Sequence, residues 1–262
     1  MTDEHKKYVK KIRIRKLVTK VLQIGILLLF IGLWELVAQK EIIDPFIISS
    51  PSRIFKLLLK LEAQKNLFNH LSATLIETVL GFLISTAAGT LIAIILWWSR
   101  LLNDVLEPYL VTLNSLPKIA LGPLIIIWIG AGKQAIITMA ILICIIITII
   151  SMLSGFMQVD KEKIMLLKSM QANKFQILTK LVLPANIPTL ISVLKINVGL
   201  SWVGTIMGEY LVSREGIGYL IVYGSQVFQL DLVMASTVIL CILAALMYAI
   251  VALIEKIIKK YF

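Results

Sequence analysis

The sequence predicts an all-α, polytopic membrane protein with six transmembrane helices and both termini in the cytoplasm. Three observations predict it. Hydrophobic residues make up 59% of the 262 residues and charged residues only 16%, against roughly a quarter charged in soluble domains. A 29.3 kDa globule has too little interior to hide that much apolar side chain, so the solvent is lipid. The apolar residues also fall into runs of spanning length, and the basic residues crowd the ends of those runs on one side.

The first run is Val18–Ala38. Residues 1–17 are its basic leader: Lys6, Lys7, Lys10, Lys11, Arg13, Arg15 and Lys16 precede it, and Lys20 sits just inside. A juxtamembrane basic segment faces anionic headgroups and holds the N-terminus in the cytoplasm. No small-residue cleavage site follows, so the run reads as an uncleaved span rather than a signal peptide. Leu75–Trp98 is the second span, closed by the interfacial pair Trp97 and Trp98 and then Arg100. Glu107–Ile129 is the third, interrupted by Pro117 and Pro123. Ala135–Phe156 is the most continuously apolar, followed by Ile187–Leu211 and Leu232–Ile254. With the N-terminus inside, 17 Lys and Arg lie on the cytoplasmic side and seven outside, while Lys118 and Lys195 fall within spans. That bias supports the orientation. The net charge of +11 is thereby accounted for by topology and gives no reason to invoke nucleic acid.

Two connections are too long to be turns. In residues 39–70, Ser52 can cap a helix on which Ile54, Leu57, Leu58 and Leu61 recur at i, i+3, i+4 and i+7. Such a helix either lies on the outer surface or packs against the bundle. Residues 158–184 carry Lys161, Lys163, Lys168, Lys174 and Lys180 around Ile164, Leu167, Phe175, Leu178 and Leu181. This pattern predicts a soluble helical insertion large enough to be a docking surface.

Enzyme chemistry is excluded by inventory. His5 lies in the charged tail and His70 stands alone, so neither has metal-ligand spacing. Cys144 and Cys241 both sit in apolar runs, which argues against a disulfide framework. Gly130–Gln134 partly matches a phosphate-binding loop but has Ile127 where the first Gly belongs and Gln134 where Ser or Thr belongs. Ionisable residues within spans remain: Glu35, Glu77, Lys118, Lys195 and Glu209. Each is costly in hydrocarbon and is either paired or pathway-lining. Lys195 is placed to snorkel toward the cytoplasm, and Glu77 and Lys118 are candidates to pair across spans.

The segments "ISSPSRIFKLL", "HLSATLIETVLGF", "SLPKIALGPLIIIWIGAGKQAII", "LTKLVLPANIPTLISVLKINVGLSWVGTIMGEYL" and "GIGYLI", in that order from about Ile48 to Leu253, resemble permease subunits of bacterial ATP-binding-cassette importers. Within that family the resemblance is to the nitrate, taurine and aliphatic-sulfonate type. The resemblance implies an importer permease fold over residues 18–262 in the bacterial plasma membrane and no cofactor in this chain. It also implies partners: a dimer of ATPase subunits holding ATP and Mg, a second permease subunit (a homodimer is expected), and an extracytoplasmic binding protein.

That family carries a Glu-Ala-Ala triplet, a Gly and a terminal Leu-Pro in its docking loop. Counting back from Leu183-Pro184 places the triplet at Met165, Leu166 and Leu167 and the Gly at Gln171; all four depart from the pattern. The flank Ala172, Asn173, Lys174, Phe175 and Gln176 survives. The resemblance therefore implies docking through Lys168, Ser169, Gln171, Ala172, Asn173, Lys174 and Phe175. Gly supplies a left-handed residue at the turn, which Asn173 tolerates and Gln171 does not. The expectation is that the turn shifts by two residues or that the helix continues through Gln171. Glu77, Lys118, Lys195, Glu209, Gly216 and Gly218 are the pathway or gating candidates, the two glycines permitting a tight re-entrant turn. The alternative class is a stand-alone secondary transporter or channel in which Glu77, Glu209 and Lys118 bind ions.

Overall fold

Every long apolar run is a helix, because in hydrocarbon a segment must satisfy its own backbone hydrogen bonds. The structure, a computed structural model, describes residues 3–63 and 67–259. Lys65 and Lys260, and the side chains of His5, Lys6, Lys7 and Lys16, lie outside the described residues. The helices run in order α1 (Asp3–Gln39), α2 (Pro45–Ile48), α3 (Pro51–Ala63), α4 (Leu67–Trp98), α5 (Arg100–Ser115), a 3₁₀ turn (Lys118–Leu121) and α6 (Gly122–Ile129). They continue with α7 (Lys133–Met157), α8 (Lys161–Ser169), α9 (Lys174–Ile177), a π turn (Leu178–Val182), α10 (Leu183–Ala185), α11 (Ile187–Val212), α12 (Ile217–Gln226) and α13 (Leu230–Ile258).

Among the described residues, five helices are long and apolar enough to cross a membrane: Lys10–Gln39 of α1, then α4, α7, α11 and α13. The structure differs from the single interrupted span expected at Glu107–Ile129. That segment is a bent pair, α5 and then the 3₁₀ turn with α6, with 89° between the two parts, and it makes a sixth crossing if the pair is one span. Pro117 lacks the N–H that would continue α5, and Pro123 restarts the chain inside the first turn of α6, where a missing N–H costs nothing. The basic leader is helical too, since α1 runs unbroken from Asp3 through the first span.

The core is built by α7, which packs along both α4 and α11. Small residues allow this closeness, as is usual between helices in lipid. A Cβ added to Gly204 would lie 2.5 Å from the Ala140 backbone; one on Gly81 would lie 2.6 Å from Ala140 Cβ, and one on Gly89 2.7 Å from Thr148. Between these contacts, the buried Asn197 donates to Thr86 Oγ1 at 2.9 Å and Thr148 Oγ1 at 2.8 Å, so one amide ties α4, α7 and α11 together. α13 closes the bundle through Val251, which packs with Phe82, Val198 and Trp202.

The amphipathic helix predicted around Ile54 is α3. Its face of Leu57, Leu58 and Leu61 packs against Ile217, Leu220, Leu232 and Ile239, making it part of the bundle. Ser52 is not its cap. Ser50 accepts from Arg53 N–H at 3.3 Å, while Glu35 of α1 accepts from Ser52 N–H at 3.0 Å and Ser52 Oγ at 2.8 Å. A carboxylate at a helix N-terminus is favourable, and this one pins the end of α1, whose remaining apolar surface is exposed.

Gly204→Ala is expected to separate α7 from α11 and destabilise the chain by about 1–3 kcal/mol. Gly199→Ala on the same helix, with no atom within 4 Å of the new methyl, is expected to be neutral. Thermal unfolding of the purified variants in detergent checks the difference.

Candidate functional sites

The candidate residues collect at opposite ends of the bundle. At one end, residues 158–186 form a compact helical connection; at the other, α12 re-enters the bundle between α11 and α13.

The connection begins where Asp160 caps α8, accepting from Glu162 N–H at 2.9 Å. α8 ends in a Schellman motif: Ala172 N–H bonds to Leu167 O at 3.0 Å and Gln171 N–H to Lys168 O at 2.9 Å. The left-handed residue at its centre is Gln171, with φ of 59°. Neither expected alternative is what the chain does. The turn keeps its place with a glutamine in it, because the two hydrogen bonds and the packing of Leu167 and Ala172 on the core outweigh the steric cost. Asn173 takes a different task, capping α9 in a reciprocal box with Gln176, both bonds at 2.8 Å.

Beyond α9, Leu183 N–H reaches back five residues to Leu178 O. This π turn makes room for Pro184, whose ring cannot sit in a regular helical turn. Asn186 then donates its side-chain N–H to Val182 O at 2.9 Å, satisfying a carbonyl that the change of helix would leave bare.

One face of the connection is buried. Ile177, Leu178 and Val182 pack against Leu96 of α4, Phe156 of α7 and Val193 of α11. Lys174 adds a polar tie: Nζ donates to the carbonyl of Trp98 at the end of α4 and sits 5.8 and 5.4 Å from the ring centres of Trp97 and Trp98. The other face is open. Met165, Leu166, Met170 and Phe175 are 62–70% exposed, and the polar Lys168, Ser169, Gln171 and Asn173 are exposed too. Ala172 differs from the rest of its predicted group, being half-buried against the core.

At the other end, Gly216 has φ of 110°, the left-handed region where a side chain is strained. The chain turns there to start α12 inside the bundle, where its first N–H groups need partners. Side chains from two other helices supply them. Gly216 N–H donates to His70 Nδ1 at 3.0 Å, Ile217 N–H to Thr74 Oγ1 at 2.7 Å, and Gly218 N–H to Glu209 Oε2 at 2.6 Å. A methyl at Gly218 would sit 2.7 Å from that same carboxyl oxygen, so close approach is what requires glycine there. Glu77 completes the group: its side chain lies within hydrogen-bond reach of Glu209, and each residue is 1% exposed.

The structure thus brings together Glu77, Glu209, Gly216 and Gly218, and separates the two lysines from them. Lys118, the expected partner of Glu77, lies at the bend of the broken pair and donates to Asn114 O at 3.1 Å within its own segment. Lys195 pairs with Glu255 of α13, which also holds Lys259 at 2.8 Å. His70 and Thr74 were not among the predicted residues. Their signal is the spacing His70, Thr74, Glu77 at i, i+4 and i+7, a polar stripe on one face of a helix.

Two outcomes are expected of these local geometries. Gln171→Gly should stabilise the connection by about 1 kcal/mol by relieving the left-handed strain, read as slower amide exchange in α8. Thr74→Val should leave Ile217 N–H buried without an acceptor and cost about 1–3 kcal/mol. Thr74→Ser should restore the loss in thermal midpoint and in exchange protection at Ile217.

Residues 85–261 match the family model described as "binding-protein-dependent transport system inner membrane component". A probable ABC transporter permease protein of Haemophilus influenzae is 30% identical over 233 residues, covering 89% of this chain and 93% of its own. A putative aliphatic sulfonates transport permease of Bacillus subtilis is 26% identical, covering 90% and 87%. Among solved structures, a bacterial alginate ABC transporter in complex with its alginate pentasaccharide-bound periplasmic protein contains a chain that superposes with a TM-score of 0.65 at 16% identity, over 95% of this chain and 99% of that one. The chain therefore belongs to the binding-protein-dependent transport system inner membrane components, the multi-pass permease subunits that form the translocation pathway of ABC importers.

Proposed function

We propose that residues 158–184 dock an ATPase subunit in the cytoplasm and convert its closure into movement of the spans. The observation that carries this reading is the two-faced packing of the connection. Its inner face is shared among the ends of α4, α7 and α11, while Met165, Leu166, Met170 and Phe175 stand exposed on the other. An exposed apolar group rimmed by Lys168, Ser169, Gln171 and Asn173 has the composition of an interface. Four large apolar side chains stand where the family has its triplet and Gly or close beside them, so the contact relies on apolar burial. A load applied there reaches three spans at once, because packed interiors transmit displacement and deform little.

The remaining assignments follow. The basic leader of α1 and the connection lie in the cytoplasm, with α3 and α12 at the outer face. A separate ATPase dimer binds ATP and Mg and performs hydrolysis. A second permease subunit, identical to this one, completes the pathway, and a periplasmic binding protein delivers cargo to the outer face. The cargo is a small solute of the nitrate, sulfonate, taurine or vitamin-precursor class, as the relationship to a sulfonate permease supports.

At the bend between α5 and the 3₁₀ turn, the polar Asn114 and Ser115 are exposed in the single chain and Lys118 is half-buried. Lipid is an unfavourable neighbour for them, so this bend lines the pathway. Glu77 and Glu209 are sealed within one chain; their place is in holding the outer end together. Lys195 joins α11 to α13.

Phe175→Asp is expected to abolish cargo-stimulated ATP hydrolysis and uptake in the reconstituted complex, leaving membrane insertion and thermal midpoint unchanged. Ala172→Asp is expected to lower stability as well, since Ala172 packs inward. Full uptake by Phe175→Asp would show that the connection docks nothing through this face.

A further inference from the structure

We propose that Glu77 and Glu209 form a proton-holding acid pair, in which Glu209 is the carboxylate that anchors α12 and Glu77 is the un-ionised acid that donates to it. Both side chains are 1% exposed and lie against each other between α4 and α11. Among the described residues, no Lys, Arg or His forms an ion pair with either; Lys133, at the mouth of the site, is exposed and pairs with Glu215 at 3.7 Å. Two bare carboxylates in contact without a cation would repel in a low-dielectric interior, where a single unpaired charge is already costly.

Hydrogen-bond inventory gives the same answer. Each carboxyl group retains one buried oxygen with no other partner, Oε2 of Glu77 and Oε1 of Glu209. Two carboxylates are acceptors only, so they cannot satisfy each other. One hydrogen between them makes one group a donor. The surroundings decide which. Glu209 Oε2 already accepts Gly218 N–H at 2.6 Å at the start of α12, where backbone donors favour negative charge. Glu77 has no backbone N–H donor among the hydrogen bonds of the described residues, so it carries the proton.

The pair therefore binds a proton as its ligand and uses it to join three helices: α4 through Glu77, α11 through Glu209, and α12 through Gly218. Removing that proton would place two like charges at the hinge where the chain re-enters the bundle. Substitution of Glu77 by a neutral donor of the same shape should keep the joint. Substitution that leaves Glu209 without a donor should loosen it.

The test is infrared spectroscopy of the full-length chain in lipid at pH 7, where exposed carboxyl groups with pKa near 4 are ionised. Wild type is expected to show the C=O stretch of one un-ionised acid, resistant to exchange in D₂O. Glu77→Gln should lose that band entirely while keeping its thermal midpoint and the exchange protection of Gly218. Glu77→Leu should lose the band and accelerate Gly218 exchange at least ten-fold. If Glu77→Gln fails to assemble, the wild-type spectrum still decides: absence of an exchange-resistant acid band overturns the proposal. So does a band undiminished in Glu77→Gln. A third contrary result would be Na⁺- or K⁺-dependent thermal stabilisation of wild type without an acid band, which would make the pair a cation site.

Discussion

A backbone N–H with no partner has nowhere to turn inside a membrane, and the α12 end of this molecule is arranged around that constraint. α12 starts within the bundle, so its first donors cannot be left to water. His70 and Thr74 arrive from one helix and Glu209 from another to take Gly216, Ile217 and Gly218 N–H in turn. The three bonds fix the distance between α4 and α11 at the same time as they cap α12. They also require glycine at both flanking positions, and they leave Glu77 facing Glu209 with a proton to be supplied. Much of the polarity buried at this end follows from one re-entrant turn.

The opposite end meets the same constraint with different means. There the chain leaves and re-enters the bundle through a connection whose turns are a Schellman motif at Gln171, a capping box at Asn173 and a π turn before Pro184. Each device satisfies backbone groups locally, which frees side chains to pack. Ile177, Leu178 and Val182 spend that freedom on the ends of three spans. Between the two ends, Gly81, Gly89 and Gly204 bring helix backbones close, and Asn197 bonds to Thr86 and Thr148. The bundle is thereby closely packed from the helical connection at one end to the re-entrant turn at the other.

How much of this could be read from the sequence depended on whether the signal was periodic or paired. Apolar runs set the spans, because length and hydropathy are properties of one segment. They missed the break at Pro117 only in degree, since proline announces a fault without giving its 89° angle. α3 was legible from the spacing of Ile54, Leu57, Leu58 and Leu61, though not the surface it covers, which comes from α12 and α13. Pairings across helices were illegible. Charge alone matches Glu77 with Lys118, yet Glu77 meets a second carboxyl group and Lys118 stays with Asn114. Residue preference also misled at Gln171, where tertiary packing and two hydrogen bonds overrule a steric cost of about 1–2 kcal/mol.

On the proposed function, this chain supplies a pathway and a lever, and separate ATPase subunits supply the energy. Uptake by proteoliposomes tests this directly, with the chain reconstituted alone and together with its ATPase subunits and binding protein. Transport of the cargo that the binding protein captures is predicted only in the complete assembly with ATP inside or at the ATPase face, and none by the chain alone under a proton or sodium gradient. Gradient-driven accumulation by the chain alone would contradict the account.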